Sequence, residues 1–86
     1  MNINNLIAIV KKKLTDEIVI EKINIEDKSF LHKTHSEYQL GKFHLKLIIR
    51  SDELKKLTRI ERDKRIYRVL DQEMKEYIHS LQILIN

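Results

Sequence analysis

The side chains best able to do chemistry in this 86-residue chain are four histidines, His32, His35, His44 and His79, since cysteine is absent. A neutral imidazole nitrogen suits soft or borderline metals, and its charge changes near neutral pH. Without cysteine there are no disulfides, no thiol catalysis and no cluster held by the chain's own thiolates. The H-x-x-H spacing of His32 and His35 falls in a polar stretch, where two solvated side chains are its commoner meaning. His44 has the strand parity of Lys46 and Arg50 and is expected to be exposed. His79 shares parity with Leu81 and Ile83 at the strand's end, where a hydrogen-bonded structural histidine has the same signature. No nucleophile, base and orienter are singled out, and there is no Gly-rich phosphate loop and no G-x-S-x-G. A non-enzymatic protein with no small-molecule substrate is the expectation.

Positive charge is the second candidate feature. Arg50 to Arg68 holds eight basic and four acidic residues, a surplus equal to the net +4 of the whole chain. Lys55, Lys56, Arg59, Arg62, Lys64 and Arg65 could face phosphates from two helices joined at a tight turn. Asp52, Glu53, Glu61 and Asp63 interrupt the patch, and no aromatic stacking platform is interleaved with it. Lys11, Lys12 and Lys13 are assigned to the last turn of a first helix, favouring the negative end of its dipole.

These groups must be positioned by a small framework. One Gly, no Pro and 35% charged residues describe one folded domain, residues 1–86, without a linker. The short apolar run near the start precedes its lysines and matches neither a secretory signal nor a membrane span, so a cytoplasmic protein is expected. Asn2 can cap a helix with the stripe Ile3, Leu6, Ile7, Val10 and Leu14. Residues 17–27 read as a strand whose apolar parity switches near Glu21 and Lys22, the mark of a bulge or break. Residues 42–50 alternate cleanly, with Phe43, Leu45, Leu47 and Ile49 on one face. Ser51, Asp52 and Glu53 start a short helix.

A long amphipathic helix follows from Thr58, opened by a capping box with Glu61 and running through Ile60, Ile66, Tyr67, Val69, Leu70, Met74 and Tyr77. Glu61–Arg65 and Asp71–Lys75 have the favourable acid-first spacing. A final strand alternates Leu81, Ile83 and Ile85 with Ser80, Gln82 and Leu84. The fold class is therefore α+β, in the order α-β-β-α-α-β, with helices on one face of a three-stranded sheet. The connection from Lys28 to Gly41 is long for a hairpin.

From Ile25 to Ile83 the sequence resembles the BolA-like family. The family pattern D-x-S-x-x-H-x-x-H is similar to Asp27, Ser29, His32 and His35. Its glycine and histidine–hydrophobic pair before an alternating strand resemble Gly41, His44, Leu45 and the run to Ser51. Its R-H-R-x-x-Y helix resembles Arg62 to Tyr67, and its helix end with I/V-H-A-L resembles Glu73, Ile78, His79, Ser80 and Leu81. Asp63 stands in place of the R-H-R histidine, Thr34 in place of a glycine beside His35, and Lys56 in place of the turn glycine.

The resemblance implies an arrangement similar to the class II KH fold, although a G-x-x-G loop is missing. It implies a heterodimer with a monothiol (CGFS-type) glutaredoxin around a shared [2Fe-2S] cluster, in iron–sulfur assembly, transfer or iron sensing. The glutaredoxin and its glutathione would supply thiolates. This chain would supply His79 and a second histidine, His44 or His35, with His44 preferred as the strand-start residue. Imidazole in place of thiolate raises the reduction potential, and because it must be neutral to bind, the site should weaken as pH falls. The alternative is a small DNA-binding transcriptional regulator using the basic helix, residues 58–75, in which Asp63 opposes the role.

Overall fold

The computed structural model describes residues 1–29 and 42–86, so the expectations for His32 and His35 lie outside the described residues. Helix α1 spans Ile3–Glu17 and opens where the Asn2 side chain accepts the Asn5 amide at 2.8 Å. It buries Leu6, Val10 and Leu14, four residues apart. The same spacing continues to Ile18, which is 2% exposed and whose N–H donates to the Leu14 carbonyl. The β-branched run from Ile18 therefore does not begin the strand. Strand β1 is Lys22–Asp27 and starts where the apolar parity switches. The extra helical turn also corrects the reading of the lysines: the last turn of α1 holds no basic residue, and Lys13 points to a partner across the fold.

Strand β2, Phe43–Arg50, is central in a three-stranded sheet of order β1-β2-β3. It pairs antiparallel with β1 and parallel with β3, Ile78–Ile85. A parallel partner needs a crossover, and three helices provide it. These are α2, Asp52–Lys55, α3, Arg59–Val69, and α4, Asp71–Glu76. Ser51 caps α2 by accepting the Leu54 amide while its hydroxyl donates to the Val19 carbonyl, which satisfies a fully buried group from both sides. The Thr58–Glu61 capping box is complete at the start of α3.

The expected single long helix is two. Leu70, with φ −98° and ψ 18°, separates α3 from α4, although its N–H still donates to Ile66 and its carbonyl accepts from Met74. Beyond the bend Glu73 faces inward and is 4% exposed, with its carboxylate 2.7 Å from Lys13 Nζ. Ile66 and Leu70 complete the core with the α1 stripe, Leu45, Leu47, Ile49, Leu54 and Ile78. Two residues placed on the apolar stripe are outside it: Ile60 is exposed and Tyr67 largely so.

A second knot ties the helices together. Glu53 accepts the Val19 amide and pairs with Arg65 at 3.3 Å, while Arg65 also donates to the Glu17 carbonyl. Arg65 is thus spent on α2 and the end of α1 instead of pairing with Glu61, which the capping box occupies. Asp71–Lys75 is present as expected, at 3.0 Å.

Candidate functional site

His44 and His79 come together at the start of the parallel pair. Their ring centroids are 4.9 Å apart, tilted by 56°. A register shift makes the meeting. Phe43 pairs with Ile78, but His44 pairs with Ser80, so His79 is the extra residue of a bulge in β3. A bulge re-aims side chains beside it. His79 and Ser80 therefore both contact His44, the first through its ring and the second through its hydroxyl.

The expected exposure of His44 is corrected by the same geometry. Strand parity places it opposite the core face, yet the residue is only 5% exposed. Its backbone N–H donates to Ser29 Oγ at 3.0 Å, and its carbonyl accepts the Lys28 amide at 2.7 Å. Ring Nδ1 lies 2.6 Å from Ser80 Oγ. Ser29 is itself fixed by a turn in which its N–H donates to Asp27 Oδ1 at 2.9 Å. Asp27 and Ser29 thus act on His44 through its backbone. His79 is half-buried and is the more accessible of the two rings.

Ser29 and Ser80 are the residues that motif reading leaves without a role. Both fall inside matched motifs, two residues after Asp27 and one after His79, but the motifs name no partner for either. Which partners they meet depends on the register between strands distant in the chain.

A pair of imidazoles is a fit for part of a metal or cluster ligand set. Among the described residues no three His, Asp or Glu side chains converge on a metal position. Two imidazoles alone are of a type suited to a borderline metal or to the iron of a mixed cluster, and any such group would need its remaining ligands from elsewhere.

The basic residues are placed differently from one another. Arg59 and Arg62 line a groove of about 600 Å³ between α3 and β3, together with Asp63, Tyr67 and the strand from Ser80 to Ile85. Tyr67 reaches across it, its hydroxyl 3.4 Å from the Leu81 carbonyl. Lys55, Lys56 and Lys64 are exposed, and Arg65 is removed from the set by Glu53. No described helix is long and apolar enough to cross a membrane.

Comparison with known proteins matches residues 14–86 to the family model for BolA-like proteins. A Haemophilus influenzae protein named DNA-binding transcriptional regulator BolA is 29% identical over 75 residues, covering 87% of this chain and 70% of the relative. The BolA domain of SufE1 from Arabidopsis thaliana superposes with a TM-score of 0.78 at 28% identity, covering 92% of this chain and 87% of the other. BolA1 from Arabidopsis thaliana has the same fold, with a TM-score of 0.75 at 23% identity and the same coverage, 92% and 87%.

Proposed function

Because the chain belongs to the BolA-like family, we propose that it is a non-enzymatic partner of a monothiol glutaredoxin and shares a [2Fe-2S] cluster with it. The observation that carries this reading is the His44–His79 pair, with ring centroids 4.9 Å apart. His79 and His44 would hold one iron, while the partner and its glutathione supply thiolates that a cysteine-free chain lacks. When bound, the cluster offers one-electron chemistry at a potential raised by imidazole ligation. The chain's own contribution is positional. Ser29 and Lys28 fix the His44 backbone, and the bulge delivers His79 beside it. His35, the other candidate for second ligand, lies outside the described residues.

The test is visible circular dichroism of a [2Fe-2S]-loaded monothiol glutaredoxin as this protein is added. A new spectrum saturating at one to one is expected, lost with His79→Ala and with His44→Ala. Retention in His44→Ala with loss in His35→Ala would move the second ligand to His35. An unchanged spectrum with the unsubstituted protein would sink the reading.

A second reading, a DNA-binding regulator, draws on Arg59 and Arg62 in the α3–β3 groove and on the name of the Haemophilus relative. The groove also contains Asp63, and Arg65 is already paired, which leaves fewer phosphate contacts than the basic stretch suggests. On this reading, binding to duplex DNA weakens steeply with salt, and Arg59→Ala with Arg62→Ala reduces the slope by about one each. Binding indifferent to both variants would exclude it.

A further inference from the structure

We propose that the outer edge of β3, with the groove between it and α3, is a docking site for an extended acidic segment of a partner protein, which adds to the sheet as a further strand. The inference stands apart from the histidine pair and from any cluster. Its first basis is the open edge. The sheet order β1-β2-β3 leaves β3 with β2 on one side and no described strand on the other. Asn86 donates its N–H to the Ile49 carbonyl of β2. Backbone direction alternates along a strand, so Leu81, Ile83 and Ile85, of the opposite parity, turn their amides and carbonyls outward. The Tyr67 hydroxyl, coming from α3, reaches the Leu81 carbonyl at 3.4 Å, in keeping with that direction.

Natural sheet edges are commonly guarded by charge. The opposite edge strand follows the rule, with Lys22, Glu26 and Asp27 in its sequence. Strand β3 does not, since Ile78–Ile85 holds no Lys, Arg, Asp or Glu. Its groove-side residues are also short of cover. Leu81, Ile83 and Ile85 pack against the core and yet stay half-buried, and Leu84 on the other face is exposed.

Charge around the groove selects the occupant. Arg59 and Arg62 line it, and neither has an ion-pair partner among the described residues, while Asp63 offsets one of the two charges. A second copy of this chain would bring another pair of arginines to the same seam, with nothing acidic on its β3 to receive them. Phosphates of a duplex could accept from the outward amides but offer no donor to the carbonyls. An extended peptide supplies both backbone donors and acceptors, and its alternate side chains enter the groove. Carboxylates there meet Arg59 and Arg62, and aliphatic groups cover Leu81, Ile83 and Ile85.

The test titrates the ¹⁵N-labelled full chain with a short capped peptide in which threonine alternates with glutamate and valine in turn, so that one face carries both. Shifts of the Leu81, Ile83 and Ile85 amides, with slowed hydrogen exchange there, are expected. Binding should be about tenfold weaker when Arg59→Ala and Arg62→Ala are combined, with the amide spectrum of the core unaltered. Two further peptides carry N-methyl groups on one or the other set of alternate residues. Only one set of N–H groups can face β3, so one of these peptides should lose binding and the other keep it. Retention by both would reduce the contact to charge and overturn strand addition. No binding of the parent peptide would overturn it too, as would edge-amide shifts that grow with protein concentration alone, which would give the edge to a second copy. A duplex oligonucleotide that moves these amides where the peptide does not would make the groove a phosphate site and exclude the proposal.

Discussion

At the scale of single residues, His44 shows how a ligand-type side chain is built into a strand without being left loose. Its backbone N–H and carbonyl are both used toward the β1 end, and its ring is held toward β3. Every one of these bonds comes from a residue at least fifteen positions away in the chain. That distance explains what could be read beforehand. The identities of His44 and His79 as candidates follow from residue type and from resemblance. The burial of His44 does not, because alternation along one strand knows nothing of a bulge in its neighbour. Arg65 went astray for a similar reason. Its local acid-first spacing with Glu61 is correct as a helix rule, but Glu61 closes the capping box and Glu53 offers the better partner.

At the scale of elements, local signals served best where the bonds they describe are local. Asn2, Ser51 and Thr58 all cap helices as their sequence contexts indicate. Boundaries set by long-range packing were harder to see, as in the last turn of α1 and the bend at Leu70. Just before the first of these and just after the second, Lys13 and Glu73 meet, sixty positions apart. Glu73 Oε2 is bonded to Lys13, whereas Oε1 is buried without a partner among the described residues. Removing the ammonium alone leaves a carboxylate almost fully withdrawn from water, whereas replacing both members with apolar groups removes the desolvation problem as well. Lys13→Met should therefore destabilise by roughly 1–3 kcal/mol, reduced from the fully buried case because Lys13 is partly exposed. The double variant with Glu73→Met should recover most of that loss. Urea unfolding of the two variants and the parent measures both, and equal destabilisation by the single and double variants would contradict the argument.

At the scale of the whole molecule, one layer of helices and one sheet share a core whose sheet side is Leu45, Leu47 and Ile49, flanked by Leu81, Ile83 and Ile85. Such a face depends on parity. Losing one residue within β3 beyond the bulge would turn its alternating aliphatic side chains from the helices toward solvent. His79 is the exception. With it omitted, Ile78, Ser80 and Leu81 would meet Phe43, His44 and Leu45 in unbroken succession, and every other pairing would stay as it is. The sheet, as a piece of architecture, is one residue too long at that point. A chain lacking only His79 should fold with the same amide pattern through Leu81 to Ile85, and it should fail to alter the spectrum of a loaded glutaredoxin. A deletion at Gln82 should instead unfold or aggregate, as thermal melts and size-exclusion elution would report. The strand thus carries a residue whose removal the pairing of the core would not register, so under the proposed ligand role the demands of folding and those of binding fall on different residues.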